Sequence, residues 1–202
     1  MEGAEGVGKS TNIGFVTQYL EKRGIEYVLT REPGGTQLAE RIRDLLLAVH
    51  EEPMSGLTEL LLVFAARAQH LDKIIEPALA TGKWVVCDRF TDATFAYQGA
   101  GRGLSMETID QLQSMVQGDL RPDLTIILDL DPEIGMQRAS NRGELDRFER
   151  EQQSFFRHVR QGYLDIAQAE PDRCTVIDAS KALEDVKRNL LTVIEQRLLR
   201  IT

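Results

Sequence analysis

The sequence predicts an α/β fold: a parallel sheet covered by helices on both faces. Three observations carry that reading. Helical and extended patterns alternate along the whole chain. A glycine-rich run, Gly3-Ala4-Glu5-Gly6-Val7-Gly8-Lys9-Ser10, opens directly into a helical pattern. The 202 residues, 42% hydrophobic and 28% charged, suit one well-packed domain spanning 1–202.

Taken in order, a helix is expected from Lys9 to Lys22, ended by Gly24, then a strand from Glu26 to Thr30. Thr36 to Ala48 is helical, with Leu38, Ile42, Leu45 and Leu46 on one face. Thr58 to Ala80 reads as one long helix, and Trp84 to Cys87 as a short buried strand. Ser105 to Gln117 is a helix with Ser105 and Thr108 as start signals. Leu124 to Leu130 is an apolar strand, followed by a helix from Pro132 to Ser140 with proline in its first turn. A helix from Phe148 to Ala169, a strand from Cys174 to Ile177 and a helix from Leu183 to Leu199, capped by Ser180, complete the chain.

Composition excludes several classes. A net charge of −8 argues against a general nucleic-acid binder, which needs a basic surface field. No apolar run reaches the ~18–20 residues of a membrane span. Cys87 and Cys174 stand far apart and outside metal-ligand spacing, so free buried thiols in a reducing compartment, the cytoplasm, are expected.

The run Gly3 to Ser10 fits G-x-x-x-x-G-K-[ST] at every fixed position. Its glycines let backbone N–H groups turn inward around phosphate oxygens, and the following helix presents its positive end to the same anion. Lys9 then reaches the β- and γ-phosphates and Ser10 ligates magnesium, with Gly3, Ala4, Glu5, Gly6, Val7, Gly8 and Thr11 completing the triphosphate cradle. Alone, this motif fits a GTPase, an ATPase or a kinase. No guanine-reading N-K-x-D sequence accompanies it.

Other residues narrow the choice. Thr30-Arg31-Glu32-Pro33-Gly34-Gly35-Thr36 ends the second strand pattern with a rigid turn, where an open sheet binds ligands. Arg43 follows on the next helix. Asp88-Arg89-Phe90 ends the next strand, where Arg89 suits a bidentate phosphate grip and Asp88 suits orienting it or a magnesium-bound water. Phe64 and Arg67 share a helix face, as a base pocket requires. Residues 138–150, RASNRGELDRFER, read as a lid bringing Arg142 and Arg147 over the phosphates.

Together these motifs resemble bacterial thymidylate kinase, a P-loop nucleoside monophosphate kinase. The resemblance runs from GAEGVGKST through TREPGGT, FAARAQ, DRF, AYQGAGRG and GDLRPDLTIILDLDPEIG to RGELDRFE and VIDAS, essentially the whole chain. It implies the three-layer P-loop kinase fold with a short lid, transfer of the γ-phosphoryl group of ATP·Mg²⁺ to dTMP, and a homodimer packed through long helices such as Thr58 to Ala80. It implies that Glu5 accepts a hydrogen bond from the dTMP 3′-hydroxyl, that Arg43 and Arg89 clamp its phosphate, and that Arg67 hydrogen-bonds thymine O4. Thr94 and Gln98 resemble further base contacts, Tyr97 the ring that crowds the sugar C2′, and Phe64 the stacking ring, although several relatives place that ring where this chain has Val63. Lys9, Arg89, Arg142 and Arg147 are the expected catalytic cations. No general base is expected, because the acceptor is a phosphate oxygen, and His50, His70 and His158 lie outside the motifs.

A P-loop follows a buried strand, yet only Met1 and Glu2 precede Gly3. The sequence therefore predicts a sheet whose central first strand is missing, with the ladders of its two neighbours open. An upstream start or a trimmed chain is the preferred account. A real truncation would instead predict a weak or inactive nucleotide-binding remnant.

Overall fold

The computed structural model describes residues 1–140 and 146–201, with side chains described to residue 197. Among the described residues, four parallel strands, β1 (Tyr27–Arg31), β2 (Trp84–Asp88), β3 (Thr125–Asp129) and β4 (Cys174–Asp178), form two pairs, β1 with β2 and β3 with β4. Met1 and Glu2 join the pairs. The Met1 ammonium donates to Cys87 O at 2.9 Å and Arg89 N–H to Met1 O at 2.9 Å, while Glu2 N–H donates to Ile126 O at 2.7 Å and Leu128 N–H to Glu2 O at 2.9 Å. The sheet therefore reads β1, β2, Met1–Glu2, β3, β4, with two residues in the central place where the sequence predicts an open ladder. Buried β3 and half-buried β2 flank that short segment.

Alternation along β3 divides the core. Ile126 and Leu128 pack with Leu20 of α1 (Lys9–Lys22) and with Leu190 and Ile194 of α9 (Leu183–Ile201). Ile127 packs on the other side with Phe155, Phe156, Val159 and Tyr163 of α8 (Gln153–Ala169). Helices thus cover both faces, as the alternating pattern predicts.

Several boundaries differ from expectation, each for a local reason. The long helix begins at Gly56, because Ser55 Oγ accepts from Thr58 N–H. It runs as α3 (Gly56–His70), a π-helical turn over Leu71–Ile75 and α4 (Glu76–Ala80). A helix that the sequence pattern does not predict follows β2: α5 (Thr91–Thr94), passing into a π-helical segment Phe95–Gly101. Residues 147–150 form a turn rather than the start of α8, because Asp146 Oδ1 accepts from both Phe148 and Glu149 N–H. Ser180 does not cap α9; it bonds Asp178 Oδ1, and Ala182 O accepts the first helical bonds. The expected start signal Ser105 of α6 (Met106–Gln117) accepts from Thr108 N–H, and Thr36, which the sequence reading placed inside the helix, caps α2 (Gln37–Leu47) by accepting from Ala39 N–H. The helix from Pro132 to Ser140 is α7.

Among the described residues, no helix is long and apolar enough to cross a membrane. Both cysteines are free, and burial pushes their thiols up.

The π-helical segment and α8 touch closely at Gly162, where an added Cβ would lie 2.8 Å from Ala100 Cβ and 3.2 Å from Ala96 Cα. Gly162→Ala is therefore expected to lower stability by about 1–3 kcal/mol, measured by chemical denaturation, through overpacking of this contact.

Candidate functional site

A cleft of about 590 Å³ opens at the carboxyl ends of β1 and β2. Glu5 to Thr11 form its floor, Arg31, Glu32, Pro33 and Arg43 one wall, and Arg67, Thr94, Tyr97 and Gln98 the far end. The P-loop is wedged against α7: a Cβ on Gly6 would stand 2.0 Å from Gly135 O, and one on Gly135 2.4 Å from Glu5 O. Gly8, at φ 89, precedes α1, and no side chain caps that helix, which leaves its first N–H groups for an anion. Lys9 curls back, its Nζ at 3.3 Å from Gly3 O and 3.4 Å from Ala4 O. Burial, and then the like charge of Arg89, push the Lys9 ammonium down to about 8.

Arg89 stands in the left-handed region at φ 66. Its Nη1 donates to Gly3 O at 3.0 Å and to the Tyr163 hydroxyl at 3.1 Å, and its Nη2 to Glu5 Oε1 at 2.9 Å. Burial opposes its charge, but the surrounding oxygens of Tyr97, Tyr163, Glu5 and Glu2 outweigh burial and raise its pKa further. Tyr97 O–H lies 2.7 Å from each Glu5 oxygen, and the Arg89 guanidinium lies 4.7 Å from the Tyr97 ring centre. Glu2 accepts from Phe90 N–H at 2.6 Å and from the Tyr163 hydroxyl at 2.8 Å; burial pushes its carboxyl up to about 7. Arg43 Nη1 donates to Pro33 O at 3.0 Å. Asp88, at the strand end beside Arg89, keeps a buried Oδ1 without a hydrogen-bond partner and lines the cleft together with Ser10.

Arg67 is 1% exposed. Its Nε donates to Glu32 Oε2 at 2.8 Å and its Nη2 to Thr94 Oγ1 at 2.9 Å, while Nη1 has no partner. Two rings flank the guanidinium, Phe64 at 4.9 Å and Phe90 at 5.2 Å. Phe64 does not line the cleft, contrary to expectation: it is buried with Leu60 and Ile109, beneath Arg67. Val63 takes the cleft-facing place, being four residues before Arg67 and thus closer to its helical direction than a residue three before. Thr94 spends its hydroxyl oxygen on Arg67, and Gln98 donates Nε2–H to Glu59 at 2.8 Å.

Arg147 is also elsewhere than expected. Its Nε donates to Leu46 O at 2.7 Å, and its Nη2 lies 2.7 Å from Glu59 Oε2, an ion pair by distance whose angle is too bent for a hydrogen bond. A buried carboxylate thus pins it to the ends of α2 and α3, and it does not line the cleft. Arg138 of the same segment does. Arg142 lies outside the described residues.

Glu2, Glu32, Glu59, His70 and Tyr163 are the site residues that the sequence motifs left out. Glu32 lay inside TREPGGT, where a carboxylate among arginines and glycines was the available signal. The others bear on the site through partners 35 or more residues away, which no periodicity reveals.

Residues 1–190 match the sequence profile of the family described as Thymidylate kinase. The thymidylate kinase of Pseudomonas syringae pv. syringae is 59% identical over 198 residues, 98% of this chain and 94% of the relative. That of Teredinibacter turnerae is 55% identical over 195 residues, 96% and 95% of the two chains. The crystal structure of thymidylate kinase from Ehrlichia chaffeensis superposes with a TM-score of 0.79 at 37% identity, over 96% of this chain and 95% of that one.

Lys9 gives a pH prediction. A phosphate ligand favours its charged form, so the bound pKa lies above the free value of about 8. Affinity for pyrophosphate, measured by calorimetry, is expected to be level below pH 8, where the ligand's own ionisation is corrected for. It should fall as pH rises past 8, by at most about tenfold per unit. Lys9→Met should abolish that fall.

Proposed function

The chain belongs to the thymidylate kinase family, and on that premise we propose that it transfers the γ-phosphoryl group of ATP to the phosphate of dTMP, giving dTDP and ADP. One observation supports this reading above the others: a single cleft has a phosphate-cradling loop on its floor and, at its far end, a buried arginine with one unpaired N–H₂ group. The first suits a triphosphate. The second suits a base that presents a carbonyl oxygen, as thymine does at O4.

The roles follow from what each group offers. Glu5 to Thr11, which line the cleft, hold the ATP phosphates with Gly3 and Ala4 leading into the loop, and Lys9 carries positive charge to them. Arg89 and Arg43 clamp the dTMP phosphate, with Arg89 also neutralising charge on the transferring group. Glu5 accepts from the 3′-hydroxyl, exchanging part of its contact with Tyr97, whose ring closes on the sugar. Arg67 and Gln98 read the base edge; Thr94 acts through Arg67. The phosphate acceptor, with a second pKa near 6, is already largely dianionic at neutral pH, so no general base is required. The task is to hold two polyanions together and keep water out. Arg142 is the lid cation assigned to the transferring group. Arg147 is reassigned from that task to anchoring the lid base on Glu59.

Ser10 and the unpaired Asp88 oxygen suit a magnesium ion, the first directly and the second through water. Such an ion supplies charge neutralisation between the phosphates when bound. Exposed Leu57 and Leu61 on α3 and Leu38 and Leu45 on α2 suit the homodimer face. The cytoplasm is the assigned compartment, where free thiols stay reduced.

A coupled assay of ADP release, with ATP·Mg²⁺ and each nucleoside monophosphate in turn, tests the reading on this chain. Turnover dependent on dTMP and much weaker with the others is expected; no dTMP-dependent turnover would overturn it. In the same assay Arg142→Ala is expected to cut kcat by about 10³ with little change in dTMP affinity, as for an arginine finger. Arg147→Ala should cost far less in kcat.

A further inference from the structure

We propose that His70, acting through Glu32, is a positioning residue that aims the free Nη1 of Arg67 at the acceptor base, and so sets the preference for a base bearing a carbonyl oxygen over one bearing an amino group. This rests on the reading of Arg67 as the base contact.

His70 is completely buried, one turn after Arg67 on α3. Its Nδ1 lies 2.9 Å from Glu32 Oε1 and its Nε2 2.6 Å from Thr30 Oγ1. The Glu32 carboxylate only accepts, so Nδ1 carries the proton facing it. The other Glu32 oxygen takes Arg67 Nε–H at 2.8 Å. A single row of contacts therefore runs Thr30, His70, Glu32, Arg67, and ends at a cleft-lining residue whose buried Nη1 has no partner.

Each link in that row is held from outside. Glu32 N–H donates to Asp88 O at 2.9 Å, so the carboxylate hangs from the sheet end. Gly35, at φ +86, lies against the imidazole: a Cβ there would stand 2.6 Å from the ring and 2.7 Å from Thr30 Oγ1. The ring is held by its two hydrogen bonds, with the Gly35 backbone close against it. The guanidinium carbon lies over the Phe64 and Phe90 rings, 4.9 and 5.2 Å from their centres. Glu32 and Thr94 hold its Nε and Nη2, and His70 holds the Glu32 carboxylate.

The chemistry of selection follows. Nη1 only donates. Facing a carbonyl it makes a bond; facing an amino group it meets a second donor, and both stay unpaired in a buried place. That discrimination is sharp only while Nη1 cannot turn away. Loosening His70 should therefore weaken dTMP binding and selectivity together, and leave the transfer step and the ATP side alone.

Two substitutions separate positioning from bulk packing. His70→Asn places an amide N–H where Nδ1–H stands; His70→Gln places it on the Thr30 side and leaves Glu32 Oε1 without a donor. Steady-state kinetics on the full chain, with saturating ATP·Mg²⁺ and varied dTMP or dCMP, would be run on wild type, H70Q, H70N, R67M and R67M/H70Q, with thermal melts confirming that each is folded. We expect H70Q to raise KM for dTMP about tenfold, to leave kcat and KM for ATP within about twofold of wild type, and to narrow the kcat/KM preference for dTMP over dCMP. H70N should restore most of both, and H70Q should add nothing in the R67M background. Thr30→Val removes only the outer bond and should move the same two quantities by about threefold, which carries the test should H70Q not fold. The proposal is overturned if KM and preference stay at wild-type values in H70Q, if H70N is no better than H70Q, or if the effects of H70Q and R67M add in full. If R67M itself leaves KM for dTMP unchanged, the base-contact reading fails, and this proposal with it.

Discussion

The backbone N–H of Arg89 donates to Met1 O, and its guanidinium reaches Gly3 O, Glu5 and the Tyr163 hydroxyl, all between 2.9 and 3.1 Å. One residue thereby ties β2 to the central two-residue segment, the P-loop to the cleft wall, and α8 to both. Its left-handed backbone carries a strain of about 1–3 kcal/mol that surrounding contacts must over-determine. They do so through Glu2, whose carboxyl accepts from the next N–H, that of Phe90, and from Tyr163. Removing any one of these groups leaves a buried donor or acceptor unpaired, which is why the site and the sheet junction stand or fall together.

Several arginines in and around the cleft are matched beforehand to a carboxylate. Glu5 holds Arg89, Glu32 holds Arg67, Glu40 holds Arg31, and Glu59 holds Arg102 and Arg147. In an acidic protein this is how local positive charge is kept in place without ligand. Arg67 differs in keeping one buried group, Nη1, without a hydrogen-bond partner.

Much of this was legible in the sequence, for reasons tied to range. The P-loop, the cap Ser105 and the apolar run of β3 are local signals, readable within a few residues. Residues 91–101 carry TDATFAYQGAG, whose glycines and β-branched residues disfavour a helix; packing against α8 overrides that preference. The helix expected from Phe148 starts at Gln153, because an Asp146 turn competes for the same N–H groups. His70 and Glu59 gave no signal because their partners lie 38 and 39 residues away. Phe64 was misplaced because helical spacing fixes a direction but not which of two adjacent residues faces solvent.

The π-helical segment Phe95–Gly101 has a consequence for how such a chain can change over time. A π turn holds one more residue than an α turn, so side chains on either side are phased by chain length as much as by identity. Tyr97 and Gln98 meet Glu5 and Glu59 inside that segment. Deleting a single residue there would close the wide turn toward an α turn and shift the residues inside it by one place against Glu5 and Glu59, breaking those meetings while every important side chain remained in the sequence. Substitution in this stretch is thus governed by chemistry, whereas insertion and deletion are governed by phase, and the second is the stricter rule.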